Sequence, residues 1–253
     1  MLVIGIDGAT WDIIKPNLDE LPTFRKLMES CSQKTIHLKD KPWSASVWCS
    51  MFSGLSPNEH QHYDFVKDGE LVERKDLNLD FIWDKLDQKG ISVKAINIPF
   101  IVPPYNYKVN FIPPGEGVPI SEQELVDEIN SVTEKTLEIL KENPELVITC
   151  YTALDKLSHH HWGEPIMLDY YKRIDESLSK LVELDDQLII ISDHGFCNYD
   201  KAPIQTLPRK TKTGKIIKGD HHPEAILITK NIDFDIKQPE DVFRFLAKKY
   251  EVK

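Results

Sequence analysis

Three carboxylates in this chain stand directly behind short apolar runs. Asp7 follows Leu2–Ile6, Asp155 comes soon after Leu146–Tyr151, and Asp193 follows Leu188–Ile191. Two of them travel with histidine: His159 lies four residues beyond Asp155, and His194 is next to Asp193. His221 and His222 precede one more apolar run, residues 225–229. Gathering carboxylates at one place costs repulsion unless a cation neutralises them. Neutral imidazole with carboxylate suits Zn²⁺, and also Mn²⁺ or Fe²⁺. Each element alone is weak. An aspartate after a strand is often a helix cap, Asp193-His194-Gly195 can be a plain turn, and His159-His160-His161 can be a solvated helix end. Together, and always behind an apolar run, they point to a metal centre.

The elements that must position these residues are legible from periodicity. The apolar runs, with residues 92–98, read as buried strands closed by turn residues. Amphipathic helices are predicted over residues 21–30, 81–88, 167–184 and 240–250, and a further one over 47–52 ending near Gly54. Residues 65–72, centred on Asp68-Gly69, read as a hairpin. Ser121 and Glu124 form a capping box before a long helix with Leu125, Ile129, Val132, Thr136 and Leu140 on its core face. The proline-rich residues 99–119 read as an extended connection along the site. Alternating strands and helices predict a single α/β domain over residues 1–253. Its sheet is mixed and mostly parallel, with helices on both faces. Residues 60–120 are expected to form a small lid-like elaboration. Ligands of such folds sit beyond the carboxyl ends of the strands.

Composition narrows the partners. With 253 residues, 41% of them hydrophobic, the chain can bury a sizeable core. A formal net charge of -10 disfavours nucleic-acid polymers and anionic membranes. A small phosphorylated substrate stays compatible, because bound metals reverse the local field. Cys31, Cys49, Cys150 and Cys197 form no C-x-x-C pair and suggest no disulfide framework, which is consistent with a reduced, cytoplasmic protein. No apolar run approaches the ~20 residues of a membrane span, and the N-terminus does not read as a signal peptide.

The sequence resembles the alkaline phosphatase superfamily, in its type I phosphodiesterase/nucleotide pyrophosphatase branch, and within it the short archaeal and bacterial members. The matching blocks are IGIDGAT (4–10), PWSASVWCSMFSGLSPNEH (42–60), IWDKLDQKGISVKAINIPFIVPP (82–104), DKLSHHHW (155–162), ISDHGF (191–196) and DHHPEAILI (220–228). They run in family order over nearly the whole chain. The resemblance implies two divalent metals, one held by Asp155, His159 and His221, the other by Asp7, Asp193 and His194. It also implies a Ser or Thr nucleophile ten residues before the glycine that closes its helix. That glycine is Gly54, so the nucleophile falls on Ser44, whose oxygen would also bind the second metal. The implied activity is hydrolysis of phosphoric esters through a phosphoseryl intermediate, with a phosphodiester or pyrophosphate preferred. A phosphomonoesterase or phosphoryl transferase shares every motif, and a non-catalytic metal-containing binding protein is the alternative of another class.

Some positions depart from the family pattern. Nucleotide pyrophosphatases carry Asn three residues after the nucleophile; here it is Val47. Ser46 reads as the helix cap, and His60 as structural. The four-residue spacing selects His159 over His160 and His161. His222 and Trp43 are candidates for substrate contact; for Trp43, as for Trp48, a core position is an equal reading. Arg209, Lys210, Lys212, Lys215 and Lys218 read as a solvated hairpin with Gly214 at its tip, or as a lip that attracts phosphate.

Overall fold

A computed structural model describes residues 1–72, 74–99 and 121–253. β1 (Leu2–Ile6) leads through α1 (Trp11–Ile14) and α2 (Pro22–Ser30) to β2 (Ser32–His37). α3 (Ser44–Ser53) and the single turn α4 (Pro57–His60) precede the hairpin β3 (Val66–Lys67) and β4 (Glu70–Leu71). α5 (Ile82–Gln88), β5 (Val93–Ile96), α6 (Glu122–Leu140) and β6 (Leu146–Tyr151) follow. Then come α7 (Ala153–His161), α8 (Ile166–Leu181), β7 (Leu188–Ile191), β8 (Gly195–Asn198), β9 (Gly219–His222), β10 (Glu224–Lys230) and α9 (Glu240–Lys249).

The main sheet has the order β2-β10-β7-β1-β6-β5. β5, β6, β1 and β7 are parallel, while β10 runs antiparallel to both β7 and β2. This is the mixed, mostly parallel sheet expected. Alternation along the strands sorts its side chains onto two faces. Leu2, Ile4 and Ile6 join Ile174 and Leu178 of α8 and Ile129 and Val132 of α6 in one core. Val3, Ile148 and Ile189 join Trp48 and Phe52 of α3, Leu86 of α5 and Leu246 of α9 in the other. A fully buried side chain of this size contributes about 1.5–3 kcal/mol. The two cores therefore hold β1, the central strand, from both sides.

Local signals account for most boundaries. Asp68 and Gly69 both have positive φ, 54° and 84°, as a two-residue type I′ hairpin requires. Ser121 accepts from the amide of Glu124, and Glu124 accepts from the amide of Ser121, closing the capping box. Gly54 ends α3 in the left-handed region at φ 74°.

Two expectations needed correction. α3 begins at Ser44, three residues before the expected start, with Trp43 at its N-cap. Ser46 therefore lies inside the first turn, and its hydroxyl is buried without a hydrogen-bond partner rather than capping the helix. β2, with the polar sequence SQKTIH, has no apolar alternation to announce it. It is an edge strand, and only Ile36 in it is buried. The connection expected over residues 99–119 lies, apart from Pro99, outside the described residues.

Candidate active site and metal centre

The parallel strands β1, β6 and β7 end side by side, because their registers align Ile6 with Tyr151 and Gly5 with Cys150 and Ile191. The chain beyond each end carries the candidate residues. Asp7 leaves β1, Asp155 and His159 sit on α7 just past β6, and Asp193-His194 leave β7. The fourth contribution comes from a small sheet that the sequence does not announce. β8 and β9 pair antiparallel, with Phe196 opposite His221, and this brings His221 back over the strand ends. Ser44, the first residue of α3, completes the group. All seven side chains are buried.

The distances are short. Ser44 Oγ donates to His194 Nε2 at 3.0 Å. His194 Nε2 lies 3.2 Å from Asp193 Oδ2 and 3.5 Å from Asp7 Oδ1. Asp155 Oδ1 lies 3.1 Å from His221 Nε2 and 3.4 Å from His159 Nε2, and 3.8 Å from His194 Nε2. Asp155 thus stands between two groups: Asp7, Asp193 and His194 on one side, His159 and His221 on the other.

The outer hydrogen bonds decide how the histidines face. Nδ1 of His159 is 3.1 Å from Gly219 O, Nδ1 of His194 is 2.9 Å from Gly195 O, and Nδ1 of His221 meets Pro42 O. A carbonyl only accepts, so each Nδ1 carries the proton and each neutral ring turns a lone pair from Nε2 into the cluster. This is the arrangement in which imidazole binds a metal. Nε2 of His159 and His221 then face each other at 3.2 Å, which is repulsive unless positive charge lies between them. Asp7 Oδ1, Asp155 Oδ1 and Asp193 Oδ2 are buried and accept no hydrogen bond. One orphaned oxygen on each strand-end aspartate, beside inward lone pairs, fits divalent cations in number and in chemistry.

The electrostatics agree. Burial, then the charges of Asp193 and Asp155, push the Asp7 carboxyl well above its ordinary value. Burial, then Asp155, pushes Asp193 up to about 7. Asp155 goes the other way. Burial opposes its ionisation, but the adjacent imidazoles, His159 first and then His221, hold it well below the usual range. Burial and the neighbouring His221 push His194 well down, keeping it neutral. Burial and mutual repulsion thus favour the protonated forms of Asp7 and Asp193, and a cation held between these carboxylates would favour their ionised forms.

Two further features hold the floor in place. Trp48 Nε1 donates to Asp7 Oδ2 at 3.0 Å, so this core tryptophan also orients a carboxylate. Gly8 has φ +70°, and its amide donates to Asp193 Oδ1. A Cβ there would sit 3.2 Å from the backbone of Asp155, so the close approach of two strand ends requires glycine.

A cavity of about 340 Å³ opens beside Ser44, Asp155, His159 and His221. Trp43, Tyr63, Phe65 and Leu207 give it an apolar wall, and Gln205 and Thr206 a polar one. Trp43 therefore faces the cavity, with Tyr63 edge-on to its ring at 6.0 Å. The cavity residues Tyr63 to Val66 belong to the expected lid-like region. His222 does not join the cluster; it is half-buried, and its nearest acidic partner is Glu224 at 4.0 Å. His160 and His161 are also outside it, His161 being paired with Glu164. Trp162 packs on Phe196. His60 lies elsewhere, bonded to Ser50. The 209–218 stretch folds back at Gly214 with a bridge between Lys210 and Ile216. Sequence reasoning passed over Thr206 and Asp220. Asp220 stood in a quoted block, but no spacing rule marks a carboxylate that acts through backbone amides.

Fold and cluster together define the alkaline phosphatase class: a mostly parallel sheet with a carboxylate–histidine cluster and a helix-terminal hydroxyl at its strand ends. More narrowly, the chain belongs to the type I phosphodiesterase / nucleotide pyrophosphatase family, a family of metal-dependent phosphoric ester hydrolases, whose model matches residues 1–249. No curated protein matches the sequence. Among solved structures, murine ectonucleotide pyrophosphatase/phosphodiesterase 5, in an inactive form in complex with AMP, is similar with a TM-score of 0.70 at 14% identity. The match covers 100% of this chain and 95% of that one. The human protein of the same name gives 0.68 at 16%, with the same coverage. Phosphonoacetate hydrolase from Sinorhizobium meliloti, in complex with phosphonoformate, gives 0.62 at 17%, over 78% of this chain and 56% of that one. The chain thus spans little more than half the length of that hydrolase. Among the described residues, no helix is long and apolar enough to cross a membrane.

Proposed function

We propose that this chain hydrolyses small phosphodiesters or pyrophosphates by attack of Ser44 on phosphorus. The carrying observation is the Ser44 hydroxyl at the start of α3, 3.0 Å from His194 Nε2 and beside three orphaned carboxylate oxygens. Asp155, His159 and His221 would hold one divalent cation, and Asp7, Asp193 and His194 the other together with Ser44; the donor set favours Zn²⁺. When bound, such cations lower the pKa of the serine hydroxyl and offset charge on the attacking and leaving oxygens.

Ser44 Oγ attacks in line, the bond from phosphorus to the leaving oxygen breaks, and the alcohol or phosphate departs. Water then attacks the phosphoseryl group, the Oγ–P bond breaks, and Ser44 is restored. The amides of Ala45 and Ser46 lie in the first turn of α3, where no intrahelical carbonyl can accept them. They can donate to phosphoryl oxygens, a role that suits a chain with Val47 where relatives have Asn. The apolar wall of the cavity suits an aromatic or apolar ester group. We read the chain as one catalytic domain whose expected lid-like elaboration contributes Tyr63, Asp64, Phe65 and Val66 to this cavity, and the free cysteines as those of a reducing compartment.

The test is Ser44→Ala. Hydrolysis of bis(4-nitrophenyl) phosphate should fall by roughly 10³-fold or more with metal content unchanged. Undiminished turnover in the metal-loaded variant would overturn the mechanism.

A further inference from the structure

We propose that Asp220 is a positioning residue that couples the substrate cavity to the metal centre, and that it is not itself a metal ligand. The proposal rests on the hydrolase reading above. Asp220 is fully buried, with 0% exposure. Its carboxylate takes three donors. The Thr206 amide reaches Oδ2 at 2.8 Å, the Thr206 hydroxyl bonds Oδ1, and the His221 amide reaches Oδ1 at 2.8 Å. One side chain therefore ties the 205–207 segment, a wall of the cavity, to the backbone of a candidate ligand.

The chemistry of Asp220 differs from that of its neighbours. Its oxygens lie near enough to His159 and His221 for a three-donor cation site. Both oxygens, however, are already engaged by hydrogen bonds, whereas Asp7, Asp155 and Asp193 each keep one buried oxygen without a partner. A carboxylate that accepts three donors, two of them backbone amides, is fixed in orientation without a cation. Among the described residues, the 205–207 segment has one further hydrogen-bonded anchor. Tyr199 Oη donates to Leu207 O at 2.9 Å, and Tyr199 N bonds Lys218 O on the approach to β9. The bond from Thr206 to Asp220 is thus the direct link by which the wall keeps its distance from His221.

This assigns Asp220 and Thr206 to recognition of the ester group that fills the cavity, the part of the substrate beyond the phosphoryl centre. Three variants test it: Asp220→Asn, Thr206→Val and Thr206→Ser. Asn at 220 presents an amide N–H where an acceptor is needed, and Val at 206 removes the hydroxyl; Ser retains it. We expect Asp220→Asn and Thr206→Val to raise KM for bis(4-nitrophenyl) phosphate roughly tenfold. The inhibition constant for inorganic phosphate and the metal content should not change, and Thr206→Ser should behave as wild type. Amide hydrogen exchange over residues 203–208 should accelerate in the first two variants only. Loss of one metal equivalent in Asp220→Asn would make it a ligand and overturn the proposal. So would unchanged KM and unchanged exchange in both variants, or a rise in the phosphate constant that matches KM. If metal-loaded wild type turns over no phosphoester, the hydrolase reading fails, while exchange over 203–208 still decides the tether.

Discussion

Two sets of buried histidines in this molecule are wired in opposite senses. His159, His194 and His221 give their Nδ1 protons to backbone carbonyls and turn Nε2 lone pairs onto carboxylates. His60 is wired the other way round: its Nδ1 accepts the amide proton of His62 at 3.0 Å, so its Nε2–H donates to Ser50 Oγ at 2.9 Å. Its hydrogen-bonding capacity is used up inside the fold, and no lone pair remains for a cation. Burial pushes both His60 and His62 down to about 4, with His60 adding to the effect on His62, and among the described residues no carboxylate is bonded to either ring. Whether a buried histidine is a ligand or a strut is therefore set by the partner of its other nitrogen.

The sharpest way to break this contrast is at the cluster. Asp193→Asn should abolish binding of one metal equivalent and reduce phosphodiesterase activity by roughly 10³-fold, as elemental analysis and kinetics would show. In metal-free protein the same change should not destabilise, because it removes a buried charge from a repelling group. A fall in metal-free stability with metal content unchanged would show that Asp193 is structural. Chelation of the wild type should lower its melting temperature by several degrees and leave Asp193→Asn less affected.

The strut should respond in the opposite pattern. His60→Ala should cost about 1–3 kcal/mol in denaturant unfolding, because it leaves Ser50 and the His62 amide without their bonds. Metal content and kcat should stay at wild-type values. A smaller effect concerns pH. The folded chain holds His60 and His62 neutral down to about pH 4, while in the unfolded chain they protonate near 6.5. The unfolded state then binds more protons between these values, so this contribution is complete above 6.5 and is lost as pH falls towards 4. His60→Gln should flatten that slope relative to wild type. The smallest expected effect is His222→Ala, within about 0.5 kcal/mol of wild type and with unchanged metal content. A loss of metal there would move the ligand from His221 to its neighbour.

Strands whose side chains are buried on both sides were readable from sequence alone. Short apolar runs can pack nowhere but inside a covered sheet, so β1, β6 and β7 and the aspartates behind them were legible. Capping chemistry is equally local, and the box at Ser121 and Glu124 formed as read. The edge strand β2 was not legible, because a strand half in water needs no apolar pattern. Nor was the small β8–β9 sheet, whose partners lie some twenty residues apart and whose pairing is decided by packing against α7. That sheet carries His221 over the other ligands and leaves His222 outside. The start of α3 at Ser44 was likewise a tertiary decision, since burial of its whole length outweighed the missing side-chain cap. Local sequence thus chose the donors. The fold decided which nitrogen each histidine turns inward and which carboxylate, at Asp220, is spent on backbone amides, because those choices depend on donors and acceptors distant in the chain.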